Sequence, residues 1–191
     1  MALADLDIVY TNLSAITVRR MRCGHCGRDV ASNQGWQHGR IPHITIAICP
    51  MCGRPNYFED GNQMPGPQPA GEVLHLPPVV ASLYSEARSV MAAHAPTSAT
   101  LALRKLLMHV AVEQGASQGL TFQQYVTYFE TKQLVPIGAK AWVDHIRAKG
   151  NEANHEIVTI SKTDADELLV FTEMLLKLIY EFPNRLAIKT P

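Results

Sequence analysis

Two Cys-x-x-Cys turns, Cys23-Gly-His-Cys26 and Cys49-Pro-Met-Cys52, use all four cysteines of the chain and stand twenty-two residues apart. Thiolates at this spacing suit a tetrahedral metal ion: each turn supplies two soft ligands, and a hairpin sets the second pair opposite the first. Each turn is followed by a glycine, Gly27 and Gly53, which lets the backbone bend tightly beneath the ion. Two disulfides or a redox dithiol are the competing chemistries. The first twenty residues carry Asp5 and Asp7 and lack the continuous apolar core of a secretory signal. A cytoplasmic setting with reduced thiols is therefore expected, which favours metal over disulfide. The expectation is one structural Zn2+ held by Cys23, Cys26, Cys49 and Cys52. Four thiolates leave no position for a reacting water, so the ion should fold the chain rather than run a reaction. His25, His38 and His43 read as surface residues or as hydrogen-bond partners of the ligands.

A second polar concentration runs from Asp144 to His155. On a continuous helix, Trp142, Ile146, Gly150, Ala153 and Ile157 share a buried face. Asp144, Arg147, Asn151 and His155 then form a separate stripe. A ridge with a guanidinium and an imidazole suits metal-free RNA cleavage. The histidine moves a proton at the 2′-hydroxyl or the leaving oxygen, and the arginine stabilises the charged phosphorane. The opposing reading ends the helix at Gly150-Asn151, which breaks the stripe and leaves Arg147 to pair with Asp144. His94, His109 and His145 read as isolated core or surface histidines.

The elements that must position these groups follow from pattern. The chain has 191 residues, zero formal net charge and 47% hydrophobic content, enough for one medium domain or two small ones. Neither part is strongly basic, which argues against tight nonspecific binding of DNA. The local exception is Arg19, Arg20 and Arg22, which lead into the first Cys turn. No apolar run approaches the length of a membrane span. Residues 61–72 hold three prolines and three glycines and read as a linker. Before it, Ile8-Val9-Tyr10, Ile16-Thr17-Val18, His43–Ile48 and Asn56-Tyr57-Phe58 read as short strands, so residues 1–60 are expected to be a zinc ribbon.

After the linker, residues 73–191 read as an α-helical bundle of about five helices. The first starts at Pro77-Pro78, with Val79, Leu83, Ala87 and Val90 inward. The second is capped at Pro96-Thr97-Ser98, carries Leu101, Leu103, Leu106, Leu107 and Val110, and stops at Gly115. Thr121 caps the third, with Phe122, Tyr125, Val126 and Phe129 inward. Pro136 opens the fourth, with Trp142, Val143 and Ile146. Thr163 caps the last, which Pro183 ends. The expected class is α+β.

Residues from about 77 to 185 resemble the bacterial domain-of-unknown-function family 4145, a helical family related to the HEPN superfamily. Leu76-Pro77-Pro78, Tyr84–Ala87, Leu103–Leu107, Ile146–His155, Asp164-Ala165 and Tyr180–Pro183 carry the likeness. The resemblance implies a HEPN-like bundle and a homodimer. It also implies association with restriction or phage-defence systems, where some members carry an N-terminal zinc ribbon. The superfamily includes metal-independent ribonucleases and inactive members that only bind. Only Arg147, Asn151 and His155 are carried over as catalytic candidates. Seven residues separate Arg147 from His155, a wider gap than active members usually carry.

Three functions are consistent with these readings. One is a regulatory or recognition module that binds nucleic acid or a partner protein and dimerises through its helices. The second is a ribonuclease with Arg147 and His155 contributed across a dimer. The third is a structural adaptor in a larger complex of a defence system.

Overall fold

A computed structural model describes residues 12–41, 43–136, 142–146 and 160–187. The N-terminal part is an antiparallel meander in which every strand pairs with the next: β1 Ser14–Arg22, β2 Asp29–Gln37, β3 Thr45–Ile48, β4 Pro55–Glu59 and β5 Asn62–Met64. The expected strands at 16–18, 43–48 and 56–58 fall on β1, β3 and β4. Residues 8–10 lie outside the described residues. β2 is not expected from pattern, because Asp29-Val-Ala-Ser-Asn-Gln-Gly-Trp-Gln has no apolar alternation. It forms because β1 and β3 hydrogen-bond to it from both sides, so ladder pairing overrides a weak local preference.

β5 is not expected either. It occupies the start of the stretch read as linker, and it pairs Met64 with Tyr57 and Gln63 with Phe58 at the sheet edge. Ile16, Met21, Cys23, Ala47, Cys49 and Phe58 form the buried apolar cluster of this sheet among the described residues. So few groups bury too little surface to hold a fold of this size unaided.

The chain divides into two units, Met1–Gln68 and Pro69–Pro191. The second unit is helical: α1 Pro78–Ala92, α2 Pro96–Glu113, α3 Phe122–Thr131, a helical stretch at residues 142–146, then α4 Lys162–Leu176. Helix α1 turns Val80, Tyr84, Ala87 and Met91 into the core, whereas Val79 is 67% exposed. Of the other expected inward residues, Ala87 is buried and Leu83 and Val90 are partly buried against the core. On α2, Leu103, Leu106, Leu107 and Val110 are buried but Leu101 is exposed, and the cap is Ala95 with Pro96 in the first turn.

Thr121 caps α3 as expected. Its hydroxyl accepts from the Gln124 N–H while the Gln124 side chain accepts from the Thr121 N–H, a reciprocal capping box. Phe122, Tyr125, Val126 and Phe129 are all buried. Helix α4 is capped by Ser161 rather than Thr163: the Ser161 hydroxyl accepts from the Asp164 N–H. Pro183 does not end the helical run. Lys177–Glu181 forms a π-helical turn, in which the Phe182 N–H reaches the Lys177 carbonyl, and α5 Phe182–Ala187 follows. The wider turn accommodates a proline that has no N–H to give to the ladder.

The segment before α1 is tied to the helices. Arg88, almost fully buried, donates to the carbonyls of Pro69 (3.0 Å) and Ala70 (3.1 Å). The Tyr84 hydroxyl donates to the Gly71 carbonyl at 3.0 Å. The Leu74 N–H donates to the buried Glu181 carboxylate at 3.0 Å, which also pairs with Arg185. Glu173 accepts from the Gly71 N–H and from Lys177. Buried charges are thereby placed against main-chain groups that need partners.

Burial alone would raise the Glu173 carboxyl, but Lys177, the Gly71 N–H and Arg88 hold it below the ordinary value of 4.5. A depressed folded-state pKa gives stability that is present above the unfolded value and lost as pH falls through the folded one. Glu173→Gln should therefore cost about 1–2 kcal/mol at neutral pH. The gap from wild type should close as the pH falls below the ordinary glutamate range. Urea unfolding followed by helical circular dichroism at several pH values measures it. A gap that does not change with pH contradicts the assignment.

Candidate metal centre

The two Cys turns leave β1 and β3 and enter β2 and β4, and they are built alike. The Cys23 N–H donates to the Arg28 carbonyl (2.9 Å) and the Gly27 N–H to the Cys23 carbonyl (2.9 Å). In the second turn, Cys49 N–H donates to Arg54 (3.0 Å) and Gly53 N–H to Cys49 (2.9 Å). Gly27 and Gly53 take φ of 67° and 69°, the left-handed backbone expected of the glycine after each turn.

The Sγ atoms of Cys23 and Cys52 are 3.8 Å apart, as are those of Cys26 and Cys49. All four sulfurs lie within 4.8 Å of one another. A tetrahedron with metal–sulfur bonds of about 2.3 Å has sulfur–sulfur edges of about 3.8 Å. The described cysteines are free thiols, and the four of them can hold a metal ion such as zinc.

The group that joins the two turns is Asn56, fully buried on β4. Its amide oxygen accepts from the Gly24 N–H (2.9 Å) and from the Gln63 side chain (3.1 Å). Its amide nitrogen donates to Cys23 Sγ (3.5 Å) and to the Arg54 carbonyl (3.3 Å). The His25 N–H also approaches Cys23 Sγ, at 3.4 Å. Burial pushes the Cys23 thiol up, yet N–H groups of Cys26 and His25 and the Asn56 amide bring it down to about 7. Burial takes Cys52 up to about 12; the Arg54 N–H opposes this and the nearby Cys49 and Cys23 add to it. Burial likewise raises Cys49.

Pattern places Asn56 on a strand without giving it this role. A polar residue beside apolar Tyr57 and Phe58 does not reveal that a turn some thirty residues upstream ends on its amide. Gly24 is similarly constrained. A Cβ there would stand 2.0 Å from the Pro65 carbonyl oxygen, so the first turn can only be this close to residues 65–66 without a side chain.

The three neighbouring histidines are not among the clustered donors. His25 Nε2 lies 3.0 Å from the Pro55 carbonyl, His38 Nδ1 accepts from the Arg40 and Ile41 N–H groups, and exposed His43 pairs with Asp60. Of the three arginines, Arg19 is set apart from the other two. Arg19 stacks on Phe58, 4.2 Å from the ring centroid, and Arg22 donates to the Gly27 carbonyl at 3.0 Å. Arg20 is exposed.

Arg147, Asn151 and His155 lie outside the described residues, so the expected catalytic stripe has no structural account. His145, read as isolated, is not: its Nε2 is 2.6 Å from Glu167 Oε2. The partner belongs to α4, and helical period alone cannot reveal it.

Asn56→Ala and Gly24→Ala should each destabilise the sheet. The first removes the partners of buried groups, at about 1–3 kcal/mol; the second forces backbone apart. Amide hydrogen exchange should show faster opening of β1, β3 and β4 in both variants, with exchange in α1–α4 unchanged. Equal protection in wild type and Asn56→Ala would remove the amide from this role.

No curated protein and no solved structure matches the chain. A family model does: residues 85–189, more than half of the chain, match the Domain of unknown function DUF4145. The matched stretch begins within α1 and takes in α2, α3, α4 and α5. The helical part is thus the family's domain, and the chain belongs to the DUF4145 family.

Proposed function

We propose that this protein is a zinc-dependent recognition module: the N-terminal sheet is a zinc ribbon that binds nucleic acid, and the helical domain, HEPN-like in fold, carries it as a homodimer. The observation that supports this best is the thiolate geometry. Sulfur separations of 3.8 Å around a common centre suit one tetrahedral ion with no open position. Such an ion shapes a surface instead of reacting. The exposed Arg20, Arg22 and Arg28 outnumber Asp29, which faces Arg22 across the ladder, and give the rim of the first turn a local positive excess on a chain of zero net charge. A few phosphate contacts, rather than bulk attraction, then set affinity. A cytoplasmic, reducing compartment keeps the thiols available to the ion. A role beside a restriction or defence system rests on the family resemblance.

The purified protein should carry one zinc per chain by elemental analysis, and chelation or Cys49→Ser should unfold the sheet while leaving the helical signal. Zinc retention should weaken as pH falls, since protons compete for the thiolates. Binding to nucleic acid should weaken with salt. Arg20→Ala with Arg22→Ala should make the salt dependence shallower, by about one in slope for each phosphate that is no longer neutralised. Salt-independent binding, or capture of a protein partner with no affinity for nucleic acid, would replace this reading with the adaptor. The ribonuclease alternative is read on sequence alone. It requires RNA cleavage in the presence of chelator that His155→Ala abolishes in a folded protein, and equal inactivity of both proteins ends it.

A further inference from the structure

The helical unit contains a second gathering of ligand-type side chains, chemically unlike the first. Asp164 and Glu167 stand three residues apart on the first turns of α4 and so share a face. His145 comes from the helical stretch at 142–146. Trp142 of that stretch meets Phe171 of α4 edge-on, with ring centroids 5.3 Å apart, and Val143 and Ile146 are buried in the helical core. One nitrogen of His145 and one oxygen each of Asp164 and Glu167 lie within 4.8 Å of one another.

Two details separate this group from an ordinary surface ion pair. The Glu167 oxygen nearest His145 is shielded from solvent and makes no hydrogen bond of proper geometry among the described residues, although Nε2 is only 2.6 Å away. The Asp164 carboxylate is oriented from behind: the Ser161 hydroxyl donates to its Oδ2 at 2.7 Å, and the chain entering α4 is fixed by the Ile160 N–H on Thr97 Oγ1 at 3.2 Å. Outer hydrogen bonds of this kind hold carboxylate ligands in place. Two of the three donors, His145 and Glu167, line a groove of about 610 Å³ together with Trp142, Thr163, Asp166 and Val170, which gives water or an anionic ligand access to the remaining coordination positions.

We propose that His145, Asp164 and Glu167 form a second metal site, for a divalent first-row transition ion such as Mn2+, Fe2+, Co2+ or Zn2+. One imidazole with two carboxylates is too nitrogen-rich to be selective for Mg2+ or Ca2+ and too hard for a thiolate-seeking ion. The site is independent of the ribbon and of the nucleic-acid reading above.

The test is titration of the full-length, zinc-loaded protein with Mn2+, followed by electron paramagnetic resonance. Zinc holds the soft thiolate cluster, so Mn2+ reports the oxygen–nitrogen site. Wild type should bind one Mn2+ per chain. Glu167→Gln and His145→Ala, both at half-exposed positions, should each weaken binding by about tenfold or more, with melting temperature and helical signal retained. Ser161→Ala should weaken it less. Absence of binding at millimolar Mn2+ overturns the proposal, as does a change below that threshold in either ligand variant. In both cases the His145–Glu167 contact is a proton-bridged pair.

Discussion

Four sulfur atoms brought within bonding range of one point are the constraint on which the N-terminal unit depends. Without an ion the arrangement opposes itself. Cys23 is drawn down to about 7 by N–H donors, while burial and its neighbours hold Cys52 near 12. One thiol ionises readily, and each further charge must be placed beside it in a partly desolvated pocket. A divalent ion would remove the conflict by taking all four as thiolates. The rest of the sheet serves that convergence. Matched hydrogen bonds shape both turns, glycines carry the left-handed backbone, and Asn56 spans the gap between the turns with both its amide oxygen and its amide nitrogen engaged. With a buried apolar cluster of six among the described residues, the sheet would owe much of its stability to an ion held there.

The helical unit solves a different problem, because its apolar core is extensive and needs no ion to close. Leu103, Leu107 and Val110 of α2, Phe129 of α3 and Phe171 of α4 are wholly buried. What remains to be specified is how the entering chain runs. Arg88, Tyr84, Glu173 and Glu181 specify it by engaging the main chain of residues 69–74. Charged groups are costly to bury unless each finds partners. Here the partners are peptide groups of a proline- and glycine-rich segment that makes no regular secondary structure of its own. The segment and the charges thereby satisfy each other.

The parts legible in the sequence are those with local causes. The Cys-x-x-Cys pairs, their glycines, the Thr121 capping box and the apolar stripe of α3 are each contained within a few residues, and each lies where pattern puts it. What escapes has a distant cause. β2 exists through pairing on both edges, β5 through pairing with β4, and packing turns Val80 rather than Val79 of α1 inward. Ser161 displaces Thr163 as the cap because two hydroxyls two residues apart are equal in sequence. Only the path of the entering chain, with the Ile160 N–H on Thr97, decides between them.

The same distinction bears on the two ligand groups. The cysteines announce themselves because a soft-metal site needs pairs of ligands on tight turns, and tight turns are local. Hard and borderline ions accept donors from rigid elements that meet only in the folded chain. His145 therefore looks solitary until its helical stretch meets α4, where the contact of Trp142 with Phe171 brings it beside Glu167 and Asp164. In the first group the ligand spacing shapes the fold, and in the second the fold creates the spacing. The sheet's integrity should consequently follow its metal, whereas the helical core should persist whether or not anything occupies its groove.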